Sequence, residues 1–173
     1  MEAAAKRFFM SPYFAVVGAS QNRAKFGFRS RYHDPDTVTD ANVYPVFAWY
    51  HVHALNVTPI NPSRSSIDLP SKSYTTVTSP TALSNPSLTA LSFLTPPEVT
   101  RKALADAKSV GVKSVWLQPG SFDDETMKYA QDNFENAIGG FGQGTVGGEG
   151  WCVLVDGENA LRAAGKDILR QKL

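Results

Sequence analysis

The residues of this chain best suited to chemistry stand where short apolar runs stop. Tyr13–Val17 is a β-favouring stretch cut off by Gly18-Ala19-Ser20, after which Gln21-Asn22-Arg23-Ala24-Lys25-Phe26-Gly27 reads as a helix start. Small residues at a strand-to-helix turn let the backbone approach a pyrophosphate, whose charge is met by free N–H groups and the positive helix end. Ser20 offers that group a hydroxyl and Lys25 a charge, and Gly27 closes the segment. The spacing is not that of G-x-G-x-x-G, so position rather than pattern carries the reading.

A second apolar run, 55–60, ends in Asn61-Pro62-Ser63-Arg64. Dinucleotide dehydrogenases hold the adenosine ribose hydroxyls with an Asp or Glu at this place. None is present, which argues against ordinary NAD, whereas Arg64 suits a phosphorylated ribose of the kind found in coenzyme A or NADP. The plain alternative is that Asn61-Pro62 makes a turn and Arg64 is solvated. Two further runs end in Leu94-Thr95-Pro96 and Gln118-Pro119.

Other reactive side chains fit bland roles better. His33, His51 and His53 have no nucleophile or metal ligand paired with them in sequence, so packing is expected. Cys152, the only cysteine, sits in the apolar run Trp151-Cys152-Val153-Leu154 and reads as a small buried strand residue. Trp49 and Trp116 read as core. Asp123-Asp124 fits an acidic helix start better than a cation site. No P-loop, nucleophile elbow or zinc motif occurs.

These segments need a scaffold that brings strand ends together. Apolar runs at 13–17, 55–60, 73–77, 88–94, 113–117 and 151–155 read as strands, with helical patterns between several of them. The helices expected are 97–110, 123–134, a stretch from Pro45 to His53, and 159–172. Thr95 reads as the N-cap of the first of these, with Pro96 leading it, Glu98 completing a capping box and Gly111 stopping it. This alternation predicts an α/β class: a Rossmann-like, doubly wound, mostly parallel sheet of five to six strands with helices on both faces. Residues 30–44, with Pro35 and a polar run, read as an excursion in the first crossover. Residues 139–150 carry seven glycines and read as a loop.

Length and composition set the outer limits. A chain of 173 residues can bury one substantial core, and residues 1–173 are read as one domain. With 19% charged residues and a formal net charge of +1, neither a nucleic-acid surface nor an acidic tail is expected. No membrane-length apolar stretch or signal-peptide core appears, and the expected setting is the cytoplasm. A mitochondrial presequence fits less well, because the basic start is short and contains Glu2.

Five ordered segments add a family resemblance: Phe14-Ala15-Val16-Val17-Gly18-Ala19-Ser20, Lys25-Phe26-Gly27, Val57-Thr58-Pro59-Ile60-Asn61-Pro62, Leu94-Thr95-Pro96-Pro97 and Val115-Trp116-Leu117-Gln118-Pro119-Gly120. Together they resemble the small stand-alone CoA-binding-domain proteins, whose fold is similar to the amino-terminal domain of the succinyl-CoA synthetase α subunit. The resemblance runs from about Tyr13 to Asp156. It implies Gly18, Ala19, Ser20 and Lys25 around the pyrophosphate and Asn61, Pro62, Ser63 and Arg64 near the adenosine. Leu94, Thr95 and Pro96 would flank the cofactor, and Gln118 and Pro119 would close the next strand end. The implied function is binding of coenzyme A or an acyl-CoA by a module without chemistry of its own. The alternative is an NAD(P)-dependent oxidoreductase or another nucleotide-dependent enzyme, with NADP as cofactor. The excursion at 30–44 and the loop at 139–150 are longer than that family's pattern. The implied partner is a small molecule, with neither nucleic acid nor membrane expected.

Overall fold

Side chains alternate between two cores across a central sheet, as the period of a strand requires. The structure is a computed structural model, and it describes residues 1–20, 45–140 and 150–166. Its element order is α1 (Glu2–Phe9), β1 (Tyr13–Val17), α2 (Pro45–Val52), β2 (Val57–Ile60), β3 (Ser66–Leu69), β4 (Lys72–Thr75), β5 (Thr89–Phe93), α3 (Pro97–Ser109), β6 (Ser114–Leu117), α4 (Asp124–Asn133), β7 (Asn136–Ile138) and α5 (Val153–Ala163). Five strands form one parallel sheet in the order β2-β1-β5-β6-β7. Phe14, Val16, Ala90, Trp116 and Ile138 face a core shared with α1, α2 and α5. Ala15, Val17, Leu91, Phe93, Val115 and Leu117 face the other, shared with α3 and α4. This is the expected doubly wound, Rossmann-like arrangement.

Several expectations are corrected. The apolar run 151–155 is not a strand: Cys152 is the N-cap of α5, which starts at Val153. A short apolar run fits a buried helix start as well as a strand, and only tertiary packing separates the two. The helix expected at 159–172 therefore begins earlier, and residues beyond 166 lie outside the described part. The run at 73–77 does not join the parallel sheet. Its β4 pairs antiparallel with β3 in a separate hairpin, linked to the main sheet by one bridge between Ile60 and Val77. The fifth parallel strand is instead β7, only three residues long.

The hairpin is pinned to α2 by buried His51, whose Nδ1 lies 2.6 Å from the Tyr74 hydroxyl and whose Nε2 lies 3.0 Å from Ser71 Oγ. Phe47 meets the Tyr74 ring edge-on. His53 bonds the Trp49 carbonyl at 2.7 Å and Glu158 of α5 at 3.3 Å, so both described histidines hold elements together. Trp49 stacks on His53 and lies against α5, where a Cβ at Gly157 would come within 2.6 Å of its ring.

Helix α1 was not anticipated. Its Phe8 and Phe9 are fully buried and meet Phe14 and Trp116. Arg7 Nε donates to Asn136 Oδ1 at 2.5 Å, and Lys166 Nζ donates to the Ser11 carbonyl at 2.8 Å. The amino-terminal segment is thus built into one of the two cores.

The cap on α3 differs from expectation, and that on α4 agrees with it. Helix α3 starts at Pro97 after Pro96, without a side-chain cap. Thr95 Oγ1 is drawn to Thr100 Oγ1 at 2.8 Å instead, and Glu98 pairs with Lys102. Asp123 caps α4, accepting from the Thr126 N–H at 2.7 Å. Hydrogen bonds from the Thr126 side chain and N–H hold the Asp123 carboxyl below the usual carboxylate range, aided by Arg101. Because the folded form favours the ionised acid, this contribution is present above the ordinary carboxylate range and lost as pH falls through the depressed value. Asp123→Ala is expected to lower the melting temperature by a few degrees at pH 7 and much less at about pH 2. An equal difference at both pH values would assign the loss to packing rather than the charged cap.

Candidate functional site

Strand register places the expected site segments in one row. Val17 pairs with Ile60 on one side and Phe93 on the other, and Phe93 pairs with Leu117. The next residues, Asn61, Gly18, Leu94 and Gln118, therefore line up across four neighbouring strand ends. The parallel ladder continues one step into this row: Gly18 N–H donates to the Ile60 carbonyl at 3.0 Å, Leu94 N–H to Val17 at 3.0 Å, and Gln118 N–H to Phe93 at 3.1 Å. All four segments leave the carboxyl edge. The strand order reverses about β1, with β2 on one side and β5 on the other, and ligands of open α/β sheets bind in the crevice at such a switch point.

Within the row the residues have different tasks. Gly18 has a φ of +87°, and a Cβ there would lie 2.7 Å from Thr95 Cγ2. The fold itself thus demands glycine, independently of any ligand. Asn61 is a tie between strand ends: its Nδ2 donates to the Ala19 carbonyl at 2.7 Å, and its Oδ1 accepts from Ser63 N–H at 2.8 Å. Ala19 is buried and Ser20 half-buried, while Pro62, Ser63 and Arg64 are exposed. Leu94 and Thr95 are half-buried and Pro96 is exposed. Pro119 is half-buried and leads to Gly120, whose φ of +85° turns the chain towards α4. Lys25 and Gly27 lie outside the described residues, as does the excursion at 30–44.

Gln118 is the most committed side chain of the row. It is 2% exposed, and its Oε1 accepts from the Val153 N–H at the first turn of α5, 2.9 Å away. Its Nε2 is buried with no hydrogen-bond partner, a condition shared among the described residues by the indole Nε1 of Trp151. This corner, where β6 meets the start of α5, was hidden in the sequence by reading 151–155 as a strand. The available signal was an apolar run followed by Asp156 and Glu158 after a glycine-rich stretch. Among the described residues no group of His, Cys, Asp and Glu could hold a metal, and no helix is long and apolar enough to cross a membrane.

The model of a family described as the CoA binding domain matches residues 37–142, more than half of the chain. The chain belongs to that family. The match takes in β2 to β7, and with them Asn61–Arg64, Leu94 to Pro96, Gln118 and Pro119; β1 and its glycine turn precede it. Among solved structures the CoA binding domain chain is similar to a conserved hypothetical protein from Pyrococcus furiosus. The two are 21% identical, with 75% of this chain and 94% of that one covered and a TM-score of 0.53. A hypothetical protein from Pyrococcus horikoshii OT3 is 19% identical over 80% of this chain and 83% of its own, with a TM-score of 0.57. At these identities the likeness establishes the fold alone. No curated protein matches the chain.

Proposed function

We propose that residues 1–173 act as one module that binds coenzyme A or an acyl-CoA along the carboxyl edge of the sheet and performs no chemistry of its own. The observation that carries this is the row Asn61, Gly18, Leu94 and Gln118 across the switch point, in a member of the CoA binding domain family. In this reading the pyrophosphate lies against Gly18, Ala19 and Ser20, with Lys25 supplying charge. The adenosine lies towards Pro62, Ser63 and exposed Arg64, where the second strand ends without a carboxylate. Leu94, Thr95 and Pro96 flank the ligand, and Gln118 and Pro119 bound it on the far side. The commitment of His51 and His53 to packing favours a binding role over acid–base catalysis.

Titration calorimetry with coenzyme A, acetyl-CoA and NADP tests the proposal. Saturable binding of the first two, with little or none of NADP, is expected. Binding of NADP with none of coenzyme A at millimolar concentration would overturn it and favour an oxidoreductase.

A further inference from the structure

Two buried donors without partners stand at one corner of the fold. Gln118 Nε2 and Trp151 Nε1 belong to side chains 2% and 3% exposed. Both residues are held by other bonds. Gln118 Oε1 holds the Val153 N–H, so its amide lies against the start of α5. Trp151 is held by its main chain, its N–H donating to the Gly140 carbonyl at 3.1 Å and its carbonyl accepting from Trp116 Nε1 at 3.1 Å. Trp116 and Gln118, two apart on the same run, point to the same face of the sheet, and Trp151 packs against Trp116. The two donors thus flank the junction of β6 and α5. A buried donor left unpaired is costly, and such groups in native proteins are normally met by a ligand or an ordered water.

We infer that Gln118 Nε2 and Trp151 Nε1 donate to neutral carbonyl oxygens of the ligand: the amide carbonyls of the pantetheine arm or the thioester carbonyl of an acyl-CoA. This rests on the coenzyme A reading above and adds the arm's destination to it. The charge of the corner selects the class. The first turn of α5 already holds the buried Asp156 carboxyl group, which accepts from the Cys152 N–H at 2.9 Å. A carbonyl oxygen gives the two donors an acceptor without adding a second negative charge beside that carboxyl group. The order of strands supplies the direction. With adenosine at the end of β2 and pyrophosphate at β1, the rest of an elongated ligand continues over β5 to β6, two strand spacings or about 10 Å further.

The test compares coenzyme A with 3′-phosphoadenosine 5′-diphosphate, its nucleotide portion with the pyrophosphate and without the arm. In ¹⁵N-labelled protein, coenzyme A should move the Trp151 indole N–H resonance downfield, and the nucleotide should leave it in place; Trp151→Phe assigns the peak. Gln118→Glu keeps an acceptor for Val153 but removes the donor. It should weaken coenzyme A about tenfold while leaving the affinity for the nucleotide unchanged. Melting curves of both variants report their folding. A Trp151 resonance unmoved by bound coenzyme A, or an equal loss of both ligands in Gln118→Glu, overturns the inference and leaves the function standing. If the parent protein binds neither ligand, the function falls and the inference with it.

Discussion

Gly18→Val is expected to destabilise the protein strongly, whether or not a ligand lies against the turn. A left-handed backbone costs an L-residue about 1–3 kcal/mol, more when the side chain is β-branched. The new Cβ would also press on Thr95 Cγ2 at 2.7 Å, and overpacking of this kind costs about 1–3 kcal/mol. Together about 4 kcal/mol is at stake, a fall in melting temperature of roughly 10 °C for a chain of this size. Gly18→Ala combined with Thr95→Ser separates the two contributions, because serine lacks the clashing methyl while the dihedral penalty stays. The double variant should regain about half of what Gly18→Ala loses. If Gly18→Val melts within about 2 °C of the parent, the turn relaxes freely and neither argument holds. Lost cofactor binding in a Gly18 variant therefore says little about where the pyrophosphate lies.

Trp116→Ala should cost about 3–5 kcal/mol, as large aromatic truncations in packed cores do. Trp116 is fully buried, its ring meets Phe8, Phe9 and Trp151, and its indole N–H holds the Trp151 carbonyl. Trp116→Phe keeps most of the packing but leaves that carbonyl unpaired, so a smaller loss of about 1–3 kcal/mol is expected. Urea denaturation of the two variants measures both. A loss below about 1 kcal/mol for Trp116→Ala would show that this core closes around the gap.

The contrast between these positions shows what the amino-acid sequence reveals unaided. Tyr13–Val17 and Ser114–Leu117 are legible because strands covered on both faces are mostly apolar and end in turn residues. Their ends give the row Gly18, Asn61, Leu94 and Gln118 almost directly. What Asn61 and Gln118 do with their side chains is not legible, since their partners, Ala19 and Val153, are distant in sequence. Strand β7 escapes notice because three residues carry no periodicity. The start of α5 is misread because Trp151 to Val155 is apolar at every position, and only tertiary context distinguishes the two states. Helix α1 escapes notice because eight residues give too few turns for a helical period to show, and its two phenylalanines find their partner Trp116 far along the chain.

The placement of α1 also has a consequence for biosynthesis. The helix packs on β6, β7 and α5, the last of which begins at Val153, more than a hundred residues downstream of Phe9. At the usual pace of a ribosome, roughly ten seconds pass between the emergence of Phe8 and Phe9 and that of the surfaces that cover them. Through that interval an eight-residue helix, too short to persist alone, leaves two aromatic rings in water. The nascent chain therefore carries an uncovered aromatic pair until Trp116 and Ile138 have left the exit tunnel.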